Sequence, residues 1–374
     1  MSQLNPRAPW NLWVDDQTRD VHDAGRWREI RTLDGAGPDF KLPDGTHVVS
    51  FASNDYLGLS RHRAVVTAAQ DAIDRWGAGA GASRLVVGSR PVHAELEAAL
   101  ASWRGQEAAV VMPTGFQANL SVLAAFGAGT RIVSDELNHA SIIDGARLAR
   151  AEVTVFRHGD VEHAAELVGG APERAIVVSD TVFSMDGDVA PVGGLSELCA
   201  RTGSLLVLDD AHAVFDAPAV HPEAVVLRVG TLSKALGSQG GYVTGPAKWV
   251  DLLINRARPF IFTTALAPPS AAAALAAVEV CRSDEGQALR DALRYNVDIV
   301  RPGNPSPISP VLLGSEEAAV EASERLLESG LLVPAIRPPT VAPGTSRLRV
   351  ALSAAHDPAD VDRLRVALQA ITAG

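Results

Sequence analysis

Chemistry in this chain starts from one amine. Of the 33 basic side chains among 374 residues only three are lysines, Lys41, Lys234 and Lys248, so arginine carries nearly all of the cationic surface. Lys234 lies within residues 229–241, VGTLSKALGSQGG, behind the apolar, β-branched run 224–229 and ahead of a loop crowded with glycine. The run predicts a buried strand, and the glycines predict a close approach of something to the backbone. An amine in such a place gives up its charge more readily than in water, and a neutral amine condenses with an aldehyde to a Schiff base. The same position also suits a lysine that snorkels out of a strand-to-loop corner.

Five other stretches carry side chains of chemical interest. Asp209-Asp210-Ala211-His212 follows the apolar run 205–208. Its carboxylates and imidazole suit a divalent metal, although no third ligand is near in sequence; they equally suit a protonated ring nitrogen held by Asp209 with His212 on a ring substituent, or an acidic loop cap. Pro113-Thr114-Gly115-Phe116 joins a predicted strand to a predicted helix, where exposed N–H groups and the helix dipole favour a phosphate. His139, in LNHAS after the run 131–134, either stacks on a flat ring or caps the next helix. Thr231, three residues before Lys234, has a hydroxyl for a phosphate. Arg337 precedes two prolines that stiffen its loop, which suits a carboxylate receptor or a surface turn. Residues 184–188, SMDGD, carry Asp-Gly turn chemistry. The GSQGG of residues 237–241 lacks the dinucleotide fingerprint. Lysine for an aldehyde, aspartate for a pyridinium, histidine for a ring face, glycine turn for a phosphate and arginine for a carboxylate together make the inventory that pyridoxal phosphate requires.

These positions must be held by a larger frame. Three hundred and seventy-four residues, 47% of them hydrophobic, are enough for two or three integrated domains around a sizeable core. A net charge of −11 disfavours nucleic acid and anionic membranes as partners, so an anionic substrate needs a local arginine cluster. Cys199 and Cys281 stand apart in helix-like sequence without metal spacing, as expected of a reducing compartment. No apolar run has membrane-span length and the first 20 residues have no signal-peptide core, so a cytoplasmic protein is expected.

Strands are predicted at 108–112, 131–134, 152–156, 175–179, 205–208 and 224–229, with helices at 116–126, 141–149, 161–168 and 194–201 between them. Continuous apolar strands separated by helices predict a parallel sheet covered on both faces, with ligands at the carboxyl ends of its strands. Residues 8–31 read as one or two amphipathic helices whose Trp10, Trp13 and Trp27 need a surface to dock on. A short strand at 47–52 leads into SNDYLGL, helices follow at 60–76 and 91–103, and two more at 247–257 and 268–282 lead to a boundary at Ser283–Gly286. The remainder reads helix, strand 309–313, helix 316–329, strands 332–336 and 347–352, and a helix from Pro358. The expected organisation is an N-terminal helical segment, 1–45, a large α/β domain, 46–283, and a small α+β domain, 284–374.

Nearly the whole chain resembles the α-oxoamine synthases, a family of fold-type-I pyridoxal-phosphate enzymes. The likeness rests on SNDYLGL (53–59), TGFQAN (114–119), NHAS (138–141), VFSMDGD (182–188), DDAH (209–212), TLSK (231–234) and IRPPTVAPGTSRLR (336–349). It implies that Lys234 bonds the cofactor aldehyde and then acts as general base, that Asp209 pairs with the ring nitrogen, and that His212 contacts the ring oxygen. By the same match His139 stacks on the ring and assists catalysis, while Gly115, Phe116, Ser184 and Thr231 hold the cofactor. Thr264 reaches a phosphate across a homodimer interface that contains the active site. Arg28, Asn54, His139, Arg337 and Thr340 are implied to contact substrate. Separately, on charge alone, arginines such as Arg28 and Arg84 are expected to help an acidic protein receive an anionic thioester. The RPPTV stretch is similar to the branch that condenses L-alanine with a pimeloyl thioester, on CoA or acyl carrier protein, with loss of CO2. Sister activities on glycine or serine, a catalytically silent scaffold relative and a metal-dependent hydrolase built on DDAH are the competing readings. One departure stands out: after DDAH the family runs through a glycine-rich loop, whereas residues 213–218 read AVFDAP and the segment before the lysine strand is shortened.

Overall fold

The computed structural model describes residues 8–170, 173–215 and 218–372; of the shortened segment, Asp216 and Ala217 lie outside the described residues. At its centre is a seven-stranded sheet in the order Ala108–Met112, Gly241–Gly245, Val226–Thr231, Leu205–Asp209, Ala175–Asp180, Arg131–Asp135, Glu152–Phe156. Gly241–Gly245 runs antiparallel to both of its neighbours, and the other six strands share one direction. The predicted continuous apolar runs explain this burial: Leu205–Asp209 is buried along its entire length. Leu206 and Leu208 face one layer of helices, with Val192–Thr202 and Val161–Gly169, while Leu205 and Val207 face the other, with Gly115–Phe126 and Ala247–Arg256. Each such side chain withdrawn from water contributes about 1.5–3 kcal/mol, and the two-residue period fixes which layer receives it.

Gly241–Gly245 was not predicted. Its Tyr-Val-Thr core favours strand, but the glycines on both sides read as loop. Those glycines have a packing role: a Cβ at Gly230 would lie 2.2 Å from the Tyr242 ring, and one at Gly241 would lie 2.5 Å from the Gly115 nitrogen. The predicted strand 332–336 is two strands, because Pro334 interrupts the ladder. Leu331–Leu332 pairs in parallel with His47–Ser50, and Ala335–Ile336 pairs antiparallel with Ser346–Ala351, which also takes Ile308–Gly314. Residues 8–31 form one helix, Ala8–Asp23, followed by chain without regular structure. A hairpin of Asp34–Ala36 and Asp39–Lys41, unforeseen in sequence, extends the sheet that holds His47–Ser50. At the expected boundary Ser283 caps the helix Asp284–Val300 directly after Pro268–Arg282, so two helices abut there without a linker. Among the described residues no helix is long and apolar enough to cross a membrane.

Candidate active site

The parallel sheet delivers its carboxyl-end residues to one place. Asp209 ends its strand, Lys234 follows the strand Val226–Thr231, His139 follows Arg131–Asp135, and the Thr114-Gly115 turn follows Ala108–Met112. All four line a single cavity of about 260 Å³, together with Phe116, His212 and Thr231.

Lys234 Nζ lies 2.7 Å from His212 Nε2, and His212 Nδ1 lies 2.7 Å from the Tyr56 hydroxyl. Tyr56 donates in turn to Asn54 Oδ1 at 3.0 Å, which also accepts from Arg349 Nη2 at 3.1 Å. With the phenol donating to Asn54, the consistent tautomer places the His212 proton on Nδ1 and leaves Nε2 to accept from the amine. Burial lowers the Lys234 pKa to about 8, against the pull of Asp209 and Asp180 toward the charged form. Burial, then the nearby Lys234 and Arg349, drive His212 well below its ordinary value, and burial lifts Tyr56 to about 12. The ring is therefore neutral beside an amine poised near neutrality.

On the opposite wall Asp209 Oδ2 accepts from Asn119 Nδ2 at 2.6 Å, and Oδ1 accepts from the Ala211 N–H at 2.9 Å. Asn119 also donates to Ser141 Oγ at 2.9 Å, and Ser141 Oγ lies 2.7 Å from His139 Nδ1. The same Nδ1 accepts from the Ser141 N–H at 3.2 Å, so His139 caps the helix Ala140–Ala149 while its ring lines the cavity. Burial lowers the His139 pKa. Asp180, buried beside this wall, has its carboxyl raised well above the usual range, first by burial and then by Asp209. Asp210 does not join Asp209: it bonds Thr181 at 2.6 Å and Arg228 at 2.9 Å, outside the cavity that Asp209 lines. The metal reading of DDAH therefore lacks a shared site.

The floor is the helix Gly115–Phe126, twelve residues long, whose first turn leaves N–H groups without helical partners. Thr114 caps it by accepting from Gln117 N at 3.0 Å. A Cβ at Gly115 would stand 3.3 Å from Thr231 Cβ, a tight contact that the glycine avoids. Thr231 donates its hydroxyl to the Gly240 carbonyl at 3.0 Å. An amine held near neutrality, a carboxylate fixed by two donors, an imidazole face and a helix N-terminus around one small cavity fit a flat heterocycle with an aldehyde, a ring nitrogen and a phosphate.

Other expected residues fall outside this cavity. Asn54 belongs to the Tyr56 network. Ser184 offers its main-chain carbonyl to Arg349 Nε at 2.5 Å. Arg337 Nη1 donates to the Gly25 carbonyl at 2.9 Å, tying its loop to the N-terminal segment. Arg28, Thr264 and Thr340 are exposed on the single chain. Tyr56, Asn119, Ser141, Asp180 and Arg349 were not singled out in sequence. The first three and Arg349 lie inside the motif stretches themselves, the only signal that pointed at them.

A sequence profile described as aminotransferase class I and II matches residues 46–368. The 8-amino-7-oxononanoate synthase of Anaeromyxobacter dehalogenans is 44% identical, covering 96% of this chain and 95% of its own. The protein of that name from Methylobacterium sp. strain 4-46 is 49% identical over 87% of both chains. Among solved structures, SPT with pyridoxal phosphate as its internal aldimine superposes with a TM-score of 0.90, at 26% identity and 99% coverage of both chains. A Francisella tularensis 8-amino-7-oxononanoate synthase shares the fold, with a TM-score of 0.71 at 23% identity, covering 87% of this chain and 98% of that one. Profile, relatives and strand-end geometry agree: the chain belongs to the aminotransferase class I and II family, among the 8-amino-7-oxononanoate synthases.

Proposed function

We propose that this protein condenses L-alanine with a pimeloyl thioester, with loss of CO2, to give 8-amino-7-oxononanoate for biotin biosynthesis, using pyridoxal phosphate. The observation that carries the reading is the Lys234 amine, lowered to about pKa 8 and facing, across one cavity, a carboxylate held by Asn119 and Ala211. When bound, the cofactor supplies the electron sink for the carbanion at the amino acid's Cα. The Thr114-Gly115 turn, Phe116 and Thr231 would hold the phosphate, Asp209 would keep a proton on the ring nitrogen, and His139 would lie against the ring. His212, neutral and oriented by Tyr56, gives the Lys234 amine an acceptor and so directs it. Lys234 removes the Cα proton; its depressed pKa leaves a useful neutral fraction at ordinary pH, as a general base requires. His139 steadies the β-keto acid as CO2 leaves. Arg337, on a loop next to the N-terminal segment that carries Arg28 and bonded through its carbonyl to Thr340, receives the substrate carboxylate, with Asn54 contacting substrate from the Tyr56 network.

The working unit is a homodimer in the cytoplasm. Val86 and Phe262 are 73% and 70% exposed, with Leu85 and Val87 beside them. The segments holding them are tied by the Ala265 N–H to the Ala82 carbonyl at 2.9 Å, and Gln117 bonds Pro259, which links this apolar surface to the helix whose Gly115 and Phe116 line the cavity. A second copy covering it would bring Thr264 toward the phosphate turn. Both cysteines are buried and free, which suits a reducing compartment.

The test is thiol release from succinyl, acetyl, pimeloyl and palmitoyl thioesters paired with glycine, alanine and serine. Alanine with the pimeloyl thioester is expected to be the best pair. A preference for glycine or serine with another acyl chain would replace this substrate assignment by a sister activity.

A further inference from the structure

His158 stands outside the cavity and outside every motif singled out above, yet it joins the loop that carries His139 to the Phe183–Asp188 turn. Its Nδ1 lies 3.0 Å from Asp135 Oδ1 and its Nε2 lies 2.8 Å from Asp188 Oδ2. Asp135 ends the strand before the His139 loop, and its side chain is fully buried, accepting also from the N–H groups of Leu137 at 2.9 Å and Gly159 at 3.0 Å. Asp188 closes the turn that starts at Phe183: the Phe183 N–H bonds the Asp188 carbonyl at 3.0 Å, and the His158 ring sits edge-on to the Phe183 ring at 4.4 Å. This turn is a docking piece. The Ser184 carbonyl receives Arg349 Nε at 2.5 Å, Asp186 pairs with Arg347, and the Gly187 carbonyl accepts from Ser306 Oγ at 2.6 Å. Arg349 in turn donates to Asn54, which orients Tyr56 and, through His212, Lys234.

We propose that His158 is a positioning residue for this reaction: by bridging Asp135 and Asp188 it locks the Phe183–Asp188 turn to the His139 loop, and so holds Arg349 and the Asn54–Tyr56–His212 chain that aims Lys234. Both ring nitrogens face carboxylate oxygens, so the full bridge needs both to donate, and only the imidazolium does so. The charged groups around it agree. Asp135 and Asp188 accept from the ring, Glu136 Oε1 accepts from the His158 N–H at 2.9 Å, and the neighbouring Arg157 is turned onto Asp160 at 2.7 Å. Burial opposes the charged form, but the hydrogen bonds to Asp135 and Asp188 together with their negative charges outweigh it and raise the His158 pKa above its ordinary 6.5. A raised folded value makes the bridge's contribution to stability complete below about pH 6.5 and lost as pH rises through the folded value.

The inference rests on the condensation proposed above for its kinetic readout, whereas a second readout needs no turnover. The holoenzyme and its His158→Gln, Asp188→Asn and doubly substituted variants are compared. Glutamine carries both its donors on a single nitrogen and cannot span the gap between Asp135 and Asp188 as the two ring nitrogens do, so kcat/KM for the amino acid is expected to fall on the order of tenfold, as misplacement of a reacting group does. The double variant is expected to lose no more than the single ones, since both remove one contact. In the absence of substrate, the wild-type Tm is expected to decline from neutral to mildly alkaline pH more steeply than the His158→Gln Tm. Unchanged kinetics in His158→Gln overturn the proposal, and so does a Tm loss that is parallel at every pH. Wild-type inactivity with alanine and pimeloyl thioester would instead strike at the substrate assignment, leaving the Tm comparison to decide the bridge.

Discussion

At the scale of single residues the site depends on burial acting differently on neighbouring groups. Lys234, His212 and Tyr56 share one hydrogen-bonded line, and burial pushes each toward its neutral form: the amine down to about 8, the imidazole well below its usual value, the phenol up to about 12. The cofactor-free protein should therefore capture pyridoxal phosphate faster as pH rises through about 8, as the neutral amine fraction grows. Stopped-flow absorbance measures this; a rate that stays flat over that interval argues against the lysine as the limiting nucleophile. Asn119 gives the second residue-scale test. Its amide donates to Asp209 at 2.6 Å, a charge-assisted bond, and Asn119→Ala strips that donor while leaving the carboxylate in place. A bond of that kind contributes about 1.5–3 kcal/mol, so kcat should fall on the order of 10- to 100-fold, with cofactor still bound in the visible spectrum. Lys234, Asp209 and His139, which meet in one cavity, could be picked out in sequence by the rarity of the lysine and by the places of the other two at a strand end and before a helix. Asn119 and Ser141 could not, because an asparagine and a serine on an apolar helix face have many uses. Only the sheet, by setting residues 119, 141 and 209 side by side, gives them one.

At the scale of elements, the Thr114-Gly115 turn is shaped by a strand that its own sequence concealed. Gly241 opens the antiparallel strand Gly241–Gly245, and its missing side chain lets that strand back directly onto the Thr114-Gly115 turn. A Cβ there would sit 2.5 Å from main-chain atoms of Thr114 and Gly115, which cannot rotate away. Gly241→Ala is therefore expected to push the turn into the cavity, weakening pyridoxal phosphate binding about tenfold or more and destabilising the fold by the ~1–3 kcal/mol typical of overpacking, seen as a lower Tm. Titration of the cofactor-free variant measures the first and a melting curve the second; wild-type affinity would mean that the turn does not hold the phosphate. The parallel strands were readable from their unbroken apolar runs, whereas this one was hidden by its flanking glycines. Likewise the run 332–336 carried one apolar signature but joins two sheets, since Pro334 removes a donor in mid-run.

At the scale of the molecule, an acidic chain presents an apolar face beside its own site. Leu85, Val86, Val87 and Phe262 lie exposed on segments joined to the start of the phosphate helix, and Trp10 and Trp13 are 70% and 55% exposed on the N-terminal helix. A homodimer covering the first patch predicts that Val86→Glu combined with Phe262→Glu gives monomers in sedimentation velocity and loses thiol release together with dimerisation. A fully active monomer would remove the interface from the account. The dimer was suggested in sequence only through resemblance and the tryptophans, because a patch made of residues near 86 and 262 exists only once the chain has folded. The central claim, that the Lys234 amine is the group that bonds the cofactor aldehyde, is tested most directly by borohydride reduction of the holoenzyme followed by peptide mass mapping. The account predicts the pyridoxyl label on the peptide containing Lys234 and its disappearance in Lys234→Ala; a label on Lys41 or Lys248, or none in the wild type, would contradict it.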